Sequence, residues 1–206
     1  MPSPVDSSLL CGNCPNAGTH RCSRCHNARY CSATCQRADW PLHAKICISF
    51  ASLPARPGPN FKRALLFRAN SPRPRFIWLE HRGSNYNPKL EDWIPCGTGC
   101  IDINCYRRLN RRLSNMINLT FDENFLGTYT TPNWSIAGIV GPQYAGRWRG
   151  DFIAQGFEGR WQTEHIVARD LDTMALGPIE DCLRFRSQNS MVEYCLPDDV
   201  EGEDMT

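Results

Sequence analysis

Beyond residue 60, short apolar runs alternate with clusters of Gly, Pro, Asn and Ser, the pattern of strands joined by tight turns. Arg63 to Arg68 (RALLFR) and Arg75 to Glu80 (RFIWLE) are two such runs, bounded by Asn70-Ser71-Pro72 and Gly83-Ser84-Asn85, and they predict a pair of strands. Met116 to Phe121 (MINLTF), Trp134 to Val140 (WSIAGIV) and Trp148 to Gln155 (WRGDFIAQ) predict three more. Asn87-Pro88 and Pro95-Cys96-Gly97-Thr98-Gly99-Cys100 predict loop between them. A helical pattern follows Asp170-Leu-Asp172-Thr173, with Pro178 suited to a first turn, acids at the start and arginines at the end, complementing the helix dipole. Ile179, Cys182, Leu183 and Arg186 would share the stripe that packs on the sheet. Strands followed by a helix give an α+β domain.

That domain is bracketed by segments of different composition. Residues 1–10 are rich in Pro and Ser and predict a flexible lead-in. Residues 48–60 predict a Pro-rich linker, because ASLPARPGPN at 51–60 holds three prolines and a glycine, which helices and central strands reject. The α+β domain then spans 61–196, and the acidic stretch 197–206 predicts a disordered tail. No run of about 18 apolar residues is present, which predicts a soluble chain without a membrane span.

The metal chemistry precedes the linker. Residues 11–47 hold seven of the twelve cysteines. Cys11-Gly-Asn-Cys14 and Cys22-Ser-Arg-Cys25 are knuckles, in which a tight turn presents two thiolates to one metal, and Gly12 with Asn13 suits a left-handed backbone at such a turn. Cys31 with Cys35, and His43 with Cys47, are four residues apart, so on a helical turn each pair shares one face. These eight donors are the number that two closed tetrahedral zinc sites require. Closed sites are structural, because a catalytic zinc keeps one position open. Spacing alone permits either a sequential or an interleaved pairing. The ligand count leaves out His20 and His26, which flank the knuckles. A disulfide framework would call for a secretory signal, and residues 1–10 have neither a basic start nor a long apolar core. A segment this short lacks the apolar surface to fold alone, so metal binding must supply its stability, on the order of 10 to 16 kcal/mol per structural zinc.

With Tyr30, Gln36 and Trp40 added, the pattern C-x2-C, C-x2-C, Tyr30-Cys31-x3-Cys35-Gln36-x3-Trp40-x2-His43-x3-Cys47 resembles a MYND zinc finger at all eight ligand positions. A RING finger would place its histidine beside the third or fourth ligand and end in another C-x2-C. The resemblance implies a small two-zinc finger of knuckles and short helices, with interleaved sites. Cys11, Cys14, Cys31 and Cys35 would hold one Zn2+, and Cys22, Cys25, His43 and Cys47 the other. It also implies an adaptor that recruits proline-containing peptides of partner proteins through Ser32, Gln36 and Trp40, in transcriptional regulation. Each has a physical rationale: Gln36 donates to and accepts from an extended backbone, Trp40 offers a flat face to proline rings, and Ser32 adds a rim hydrogen bond. Trp40 has a second reading, as the plug of a miniature core between the zinc sites. Residues 61–196 resemble the C-terminal part of small fungal MYND-finger proteins, on RALLFR, PRFIWLE, SIAGI and WRG. That likeness implies an α+β fold and no activity.

Charge narrows the partners. The net charge of +2 is small but uneven: residues 61–112 carry eleven Lys or Arg against four acids, and 161–206 carry three against eleven. Attraction between these halves within one fold accounts for the asymmetry. In residues 1–50 five basic and two acidic side chains give +3, and two zinc ions with seven thiolates bring the sum to zero, which removes the electrostatic basis for a DNA-binding finger. The run Arg107-Arg108-Leu109-Asn110-Arg111-Arg112 predicts a helical turn with a basic face; the alternative function is a nucleic-acid-binding regulator or a nuclear-import patch built on it. Cys96, Cys100 and Cys105 with His81 lack knuckle spacing, and together with Cys182 and Cys195 they read as buried thiols. Asn118-Leu-Thr and Asn133-Trp-Ser match glycosylation acceptors but read as unmodified. The chain holds no G-x-S-x-G elbow, H-E-x-x-H helix, Walker loop or Rossmann glycines, and lacks the Asn-His motif and length of the SET and MYND methyltransferases. His165 beside Glu164 and Asp170 reads as a surface residue. The expectation is a non-enzymatic, intracellular protein of nucleus or cytoplasm.

Overall fold

The computed structural model describes residues 9–83, 87–94, 97–123, 131–158, 166–189 and 193–196. Most of the expected lead-in, the turn at Ser84 and Asn85, Cys96, Glu164, His165 and the acidic stretch 197–206 lie outside the described residues.

The chain opens with two short strands, β1 (His20–Arg21) and β2 (Arg29–Tyr30), paired antiparallel around the second knuckle. One long helix, α1 (Ala33–Ala51), follows where short helices were expected. Ser32 caps it, its Oγ accepting from the Cys35 N–H at 3.2 Å, and so satisfies one of the donors that a helix start leaves open. Pro41 lies inside α1, where it contributes no N–H to the helix ladder. The helix runs on to Ala51, into the stretch 48–60 that reads as linker. The rest of that stretch is tied down. Trp78 Nε1 donates to the Pro54 carbonyl at 2.8 Å, and Arg56 pairs with Asp170 and stacks 4.9 Å above Trp78.

A mostly antiparallel sheet fills the remainder. Among the described residues its strands are β3 (Phe61–Phe67), β4 (Arg75–Arg82), β5 (Asn87–Pro88), β6 (Thr98–Tyr106), β7 (Arg111–Asp122), β8 (Phe152–Glu158) and β9 (Val167–Arg169), in the order β5-β4-β3-β8-β7-β6 with β9 on β8. The expected RALLFR and RFIWLE pair is present, with Leu65 opposite Phe76 and Ala64 opposite Ile77. MINLTF forms the second half of β7, and WRGDFIAQ contributes the first part of β8.

Three segments adopt other conformations. Asn87-Pro88, read as loop, is strand β5, paired antiparallel with the end of β4. WSIAGIV is a helix, α2 (Trp134–Val140), not a strand. A short buried apolar run fits either period, and Asn133 decides it: its Oδ1 caps the Ile136 N–H at 2.8 Å while its Nδ2 donates to the Phe67 and Gly150 carbonyls. Gly141, at φ 114°, ends the helix in a conformation that side chains rarely adopt. The stretch read as loop to Cys100 turns into strand from Thr98, and the buried Ile101, Ile103 and Cys105 mark the two-residue period that was available in the sequence. The expected C-terminal helix is α3 (Leu176–Gln188), entered through a 3-10 turn that Asp172 caps. Ile179, Cys182 and Leu183 are fully buried as anticipated, but the next stripe position belongs to Ser187, whose Oγ accepts from Trp148 Nε1 at 2.9 Å.

All three helices contribute to the main core. Ile46 of α1, Ile136 and Val140 of α2, and Ile179 and Leu183 of α3 join Leu65, Phe67, Ile103, Leu119 and Phe152 of the sheet. Leu42, Ile46 and Phe50 therefore form an apolar stripe on α1 at four-residue spacing. Leu66, Ile77, Leu79 and Ile153 pack in a second cluster under Leu90, Trp93 and Ile94. Both acceptor-like asparagines, Asn118 and Asn133, are buried. Ile46→Ala should destabilise the chain by about 2 to 5 kcal/mol. Urea unfolding followed by sheet signals checks this, and an unchanged midpoint would show that α1 is not part of the sheet's core.

Candidate metal centre

The first knuckle is built from its own backbone. The Cys11 N–H donates to the Asn16 carbonyl at 2.8 Å and the Asn13 N–H points at Cys11 Sγ at 3.5 Å. Gly12 is not left-handed, contrary to expectation. A Cβ there would lie 3.2 Å from Met174 Cε, so its small size serves packing. The left-handed residue is in the second knuckle: His26 at φ 52°, its N–H bonded to the Cys22 carbonyl at 2.9 Å.

Cys11, Cys14, Cys31 and Cys35 converge on one point and Cys22, Cys25, His43 and Cys47 on another, each set with ligand atoms within 4.8 Å of one another. The pairing is interleaved. Cys14 Sγ lies 3.4 Å from Cys31 Sγ and 3.8 Å from Cys35 Sγ, and Cys31 is 3.5 Å from Cys35. In the second set Cys22 and Cys47 are 3.8 Å apart, and Cys25 Sγ is 3.6 Å from His43 Nε2. Tetrahedral zinc with bonds of about 2.3 Å to sulfur and 2.0 Å to nitrogen separates its ligands by about 3.8 Å for two sulfurs and about 3.5 Å for sulfur and nitrogen. The observed spacings match that geometry and exceed a disulfide bond. All eleven described cysteines are free. His20 and His26 are outside both sets.

The donors also need a cation. Burial and the neighbouring Cys25 push the Cys47 thiol up to about 12, and burial pulls His43 down from 6.5 to about 4. Burial thus holds His43 in the neutral form that ligates a metal and keeps Cys47 a thiol until a metal favours its thiolate. Between the sites sits Tyr30, fully buried, its hydroxyl donating to Asp39 at 2.6 Å and its ring edge-on to His43 at 6.3 Å. Burial, then the Asp39 carboxylate, raises the Tyr30 phenol above its ordinary range, so it remains a hydrogen-bond donor. Tyr30 is the plug of the miniature core; Trp40, 43% exposed, is not.

Residues 11–47 match the family model of the MYND finger. They form a zinc-binding protein-interaction module with two zinc sites. The chain is 38% identical over 61 residues to Tudor domain-containing protein 1 of Oryzias latipes, covering 30% of this chain and 5% of that protein. It is 43% identical over 54 residues to ubiquitin carboxyl-terminal hydrolase 19 of Arabidopsis thaliana, covering 26% and 8%, and 37% identical over 68 residues to protein CBFA2T2 of Xenopus laevis, covering 32% and 11%. The chain thus spans only about a tenth or less of the length of these relatives. No solved structure matches it. No described helix is long and apolar enough to cross a membrane.

Of the MYND-finger positions outside the ligand sets, Ser32, Gln36 and Trp40 fall at four-residue steps along one face of the first half of α1. Trp40 rests against His43, ring centroids 6.0 Å apart. The basic run is committed to the fold. Arg107 stacks 4.0 Å over Phe185, Arg108 pairs with Glu180 at 3.5 Å while its N–H bonds Asp181, and Arg111 donates to the carbonyls of Cys11 and Cys14. The run is a 3-10 turn ending at Asn110, with φ 45°, followed by the start of β7, not a helix with a basic face. Sequence reasoning missed Arg111's role, since nothing local links it to knuckles about a hundred residues away. Of the other cysteines, Cys105 and Cys182 are buried as expected, whereas Cys100 is exposed and Cys195 half-buried.

The pH dependence follows from His43. The unfolded imidazole takes a proton near 6.5 and the folded one only near 4, so the unfolded state binds more protons between these values and stability is lost as the pH falls through that window. Zinc release into a colorimetric indicator should begin below about pH 6.5 in the native chain. His43→Cys should move its onset to a different pH, and an identical profile would exclude His43 as a ligand.

Proposed function

We propose that this protein is a zinc-dependent, non-enzymatic adaptor of nucleus or cytoplasm that captures proline-containing segments of partner proteins in transcriptional regulation. Residues 11–47 carry the recognition, 48–60 join them to a second contact surface at 61–196, and 197–206 form an acidic tail. Trp40 is the observation that supports this reading most. It is 43% exposed, a large cost for an indole in a finger whose core is already filled by Tyr30. It sits one turn from the half-buried Gln36 and two from Ser32. A flat aromatic face beside an amide that both donates and accepts suits an extended, proline-containing backbone. Ser32 Oγ accepts from the Cys35 N–H and lies 3.9 Å from Cys31 Sγ, so it serves the helix cap and the zinc site as well as offering a rim contact to a ligand. Because His43 backs the Trp40 ring, the pose of the indole depends on the zinc site.

The nucleic-acid alternative loses support from the internal engagement of Arg107, Arg108 and Arg111. Titration of the full zinc-loaded chain with proline-containing peptides tests the proposal. Gln36→Ala with Trp40→Ala should weaken binding by roughly thirtyfold or more, the scale of an aromatic hot spot, with the zinc content unchanged. Raising the salt from about 50 to about 200 mM should change affinity little, whereas several phosphate contacts would cost about a thousandfold. Equal binding by the chelated chain would rule out the finger as the recognition element.

A further inference from the structure

Arg111 opens β7 opposite Tyr106, and the tight connection through Asn110 aims its side chain at the finger. One guanidinium nitrogen donates to the carbonyls of Cys11 at 3.0 Å and Cys14 at 2.7 Å. These are the two ligand residues of the first knuckle, so one cation from the sheet holds both ends of that turn. The site it serves is also the more negative: four thiolates around a zinc dication leave two net negative charges, whereas the three-thiolate, one-imidazole site leaves one. A guanidinium stays protonated even when partly desolvated, so its charge is permanent. The second knuckle has a separate clamp, since Asn27 Oδ1 accepts from the Thr173 N–H at 2.8 Å and from the Thr173 hydroxyl at 2.7 Å. Met174, next in sequence, packs on Gly12 and belongs with Tyr30 to the finger's small core.

We propose that residues 61–196 act in metal retention: Arg111 is a positioning residue that keeps the first knuckle closed on the four-cysteine zinc and offsets its charge, and Thr173 performs the parallel task for the second knuckle through Asn27. This rests on the two sites binding zinc, and it adds a function for the sheet domain that peptide capture does not need. Groups that hold metal ligands in place typically contribute about 10- to 100-fold to metal affinity.

The experiment uses the full chain loaded with cadmium, whose NMR resonances separate a four-sulfur site from a three-sulfur, one-nitrogen site. Loss of each signal to a chelator is timed for the native chain, Arg111→Gln, Arg111→Lys and Asn27→Ala. Arg111→Gln should speed loss from the four-sulfur site by about tenfold or more and leave the other site unchanged. Arg111→Lys, which keeps the charge but lacks the planar fork, should fall between Gln and native. Asn27→Ala should show the opposite selectivity. Native rates at both sites in Arg111→Gln would overturn the proposal. So would equal acceleration at both sites with a lower melting temperature, which marks general destabilisation. Fewer than two metals in the native chain would instead overturn the underlying zinc assignment.

Discussion

Interleaved tetrahedral coordination is the constraint on which the structure turns. Each zinc site takes two ligands from a knuckle and completes itself at or beyond the start of α1, so neither knuckle can close without the helix in place. Cys31 and Cys35 straddle the Ser32 cap, and His43 and Cys47 follow two turns later on a common face. Gathering buried thiolates, which burial and Cys25 disfavour at Cys47, is costly without a dication and stable with one.

What α1 does beyond the finger shapes the rest of the chain. Its ligand face is answered by Leu42, Ile46 and Phe50, which sink into the core beside strands β3 and β4. Arg63 stacks 5.0 Å over Phe50 and also pairs with Asp170, and the Phe76 N–H reaches Ser49 Oγ at 2.9 Å. The helix is thus shared by a metal site and an apolar core, two assemblies stabilised by different forces. Acid or chelator loosens the first, while cavity mutations weaken the second. Because one rigid element spans both, a disturbance on either side shifts the other.

Part of the uneven charge along the chain is answered inside the molecule. Arg56, Arg63 and Arg108 meet Asp170, Glu180 and Asp181. Glu180 is buried and is held by both Arg108 and Arg184, so these pairs are more than solvent-exposed decoration. The finger's surface carries the exposed Trp40 and half-buried Gln36 together with the exposed Arg21, Arg24 and Arg37.

The sequence by itself determined the chemistry of the finger. Eight soft donors at knuckle and helix-turn spacing admit few other uses, because ligand identity and chain reach restrict what a short segment can coordinate. It also determined where strands β3 and β4 and helix α3 lie, since their apolar periods are strong and local. Tertiary structure decided the rest. Whether the knuckles pair sequentially or interleave depends on which residues approach in space. Whether WSIAGIV coils or extends depended on Asn133, whose amide bonds the Phe67 and Gly150 carbonyls. The roles of Arg111 and Thr173 depended on packing that joins residues about a hundred or more positions apart. Local pattern reports the free energy of a segment against water, and contacts of this kind exist only once the segments have been brought together.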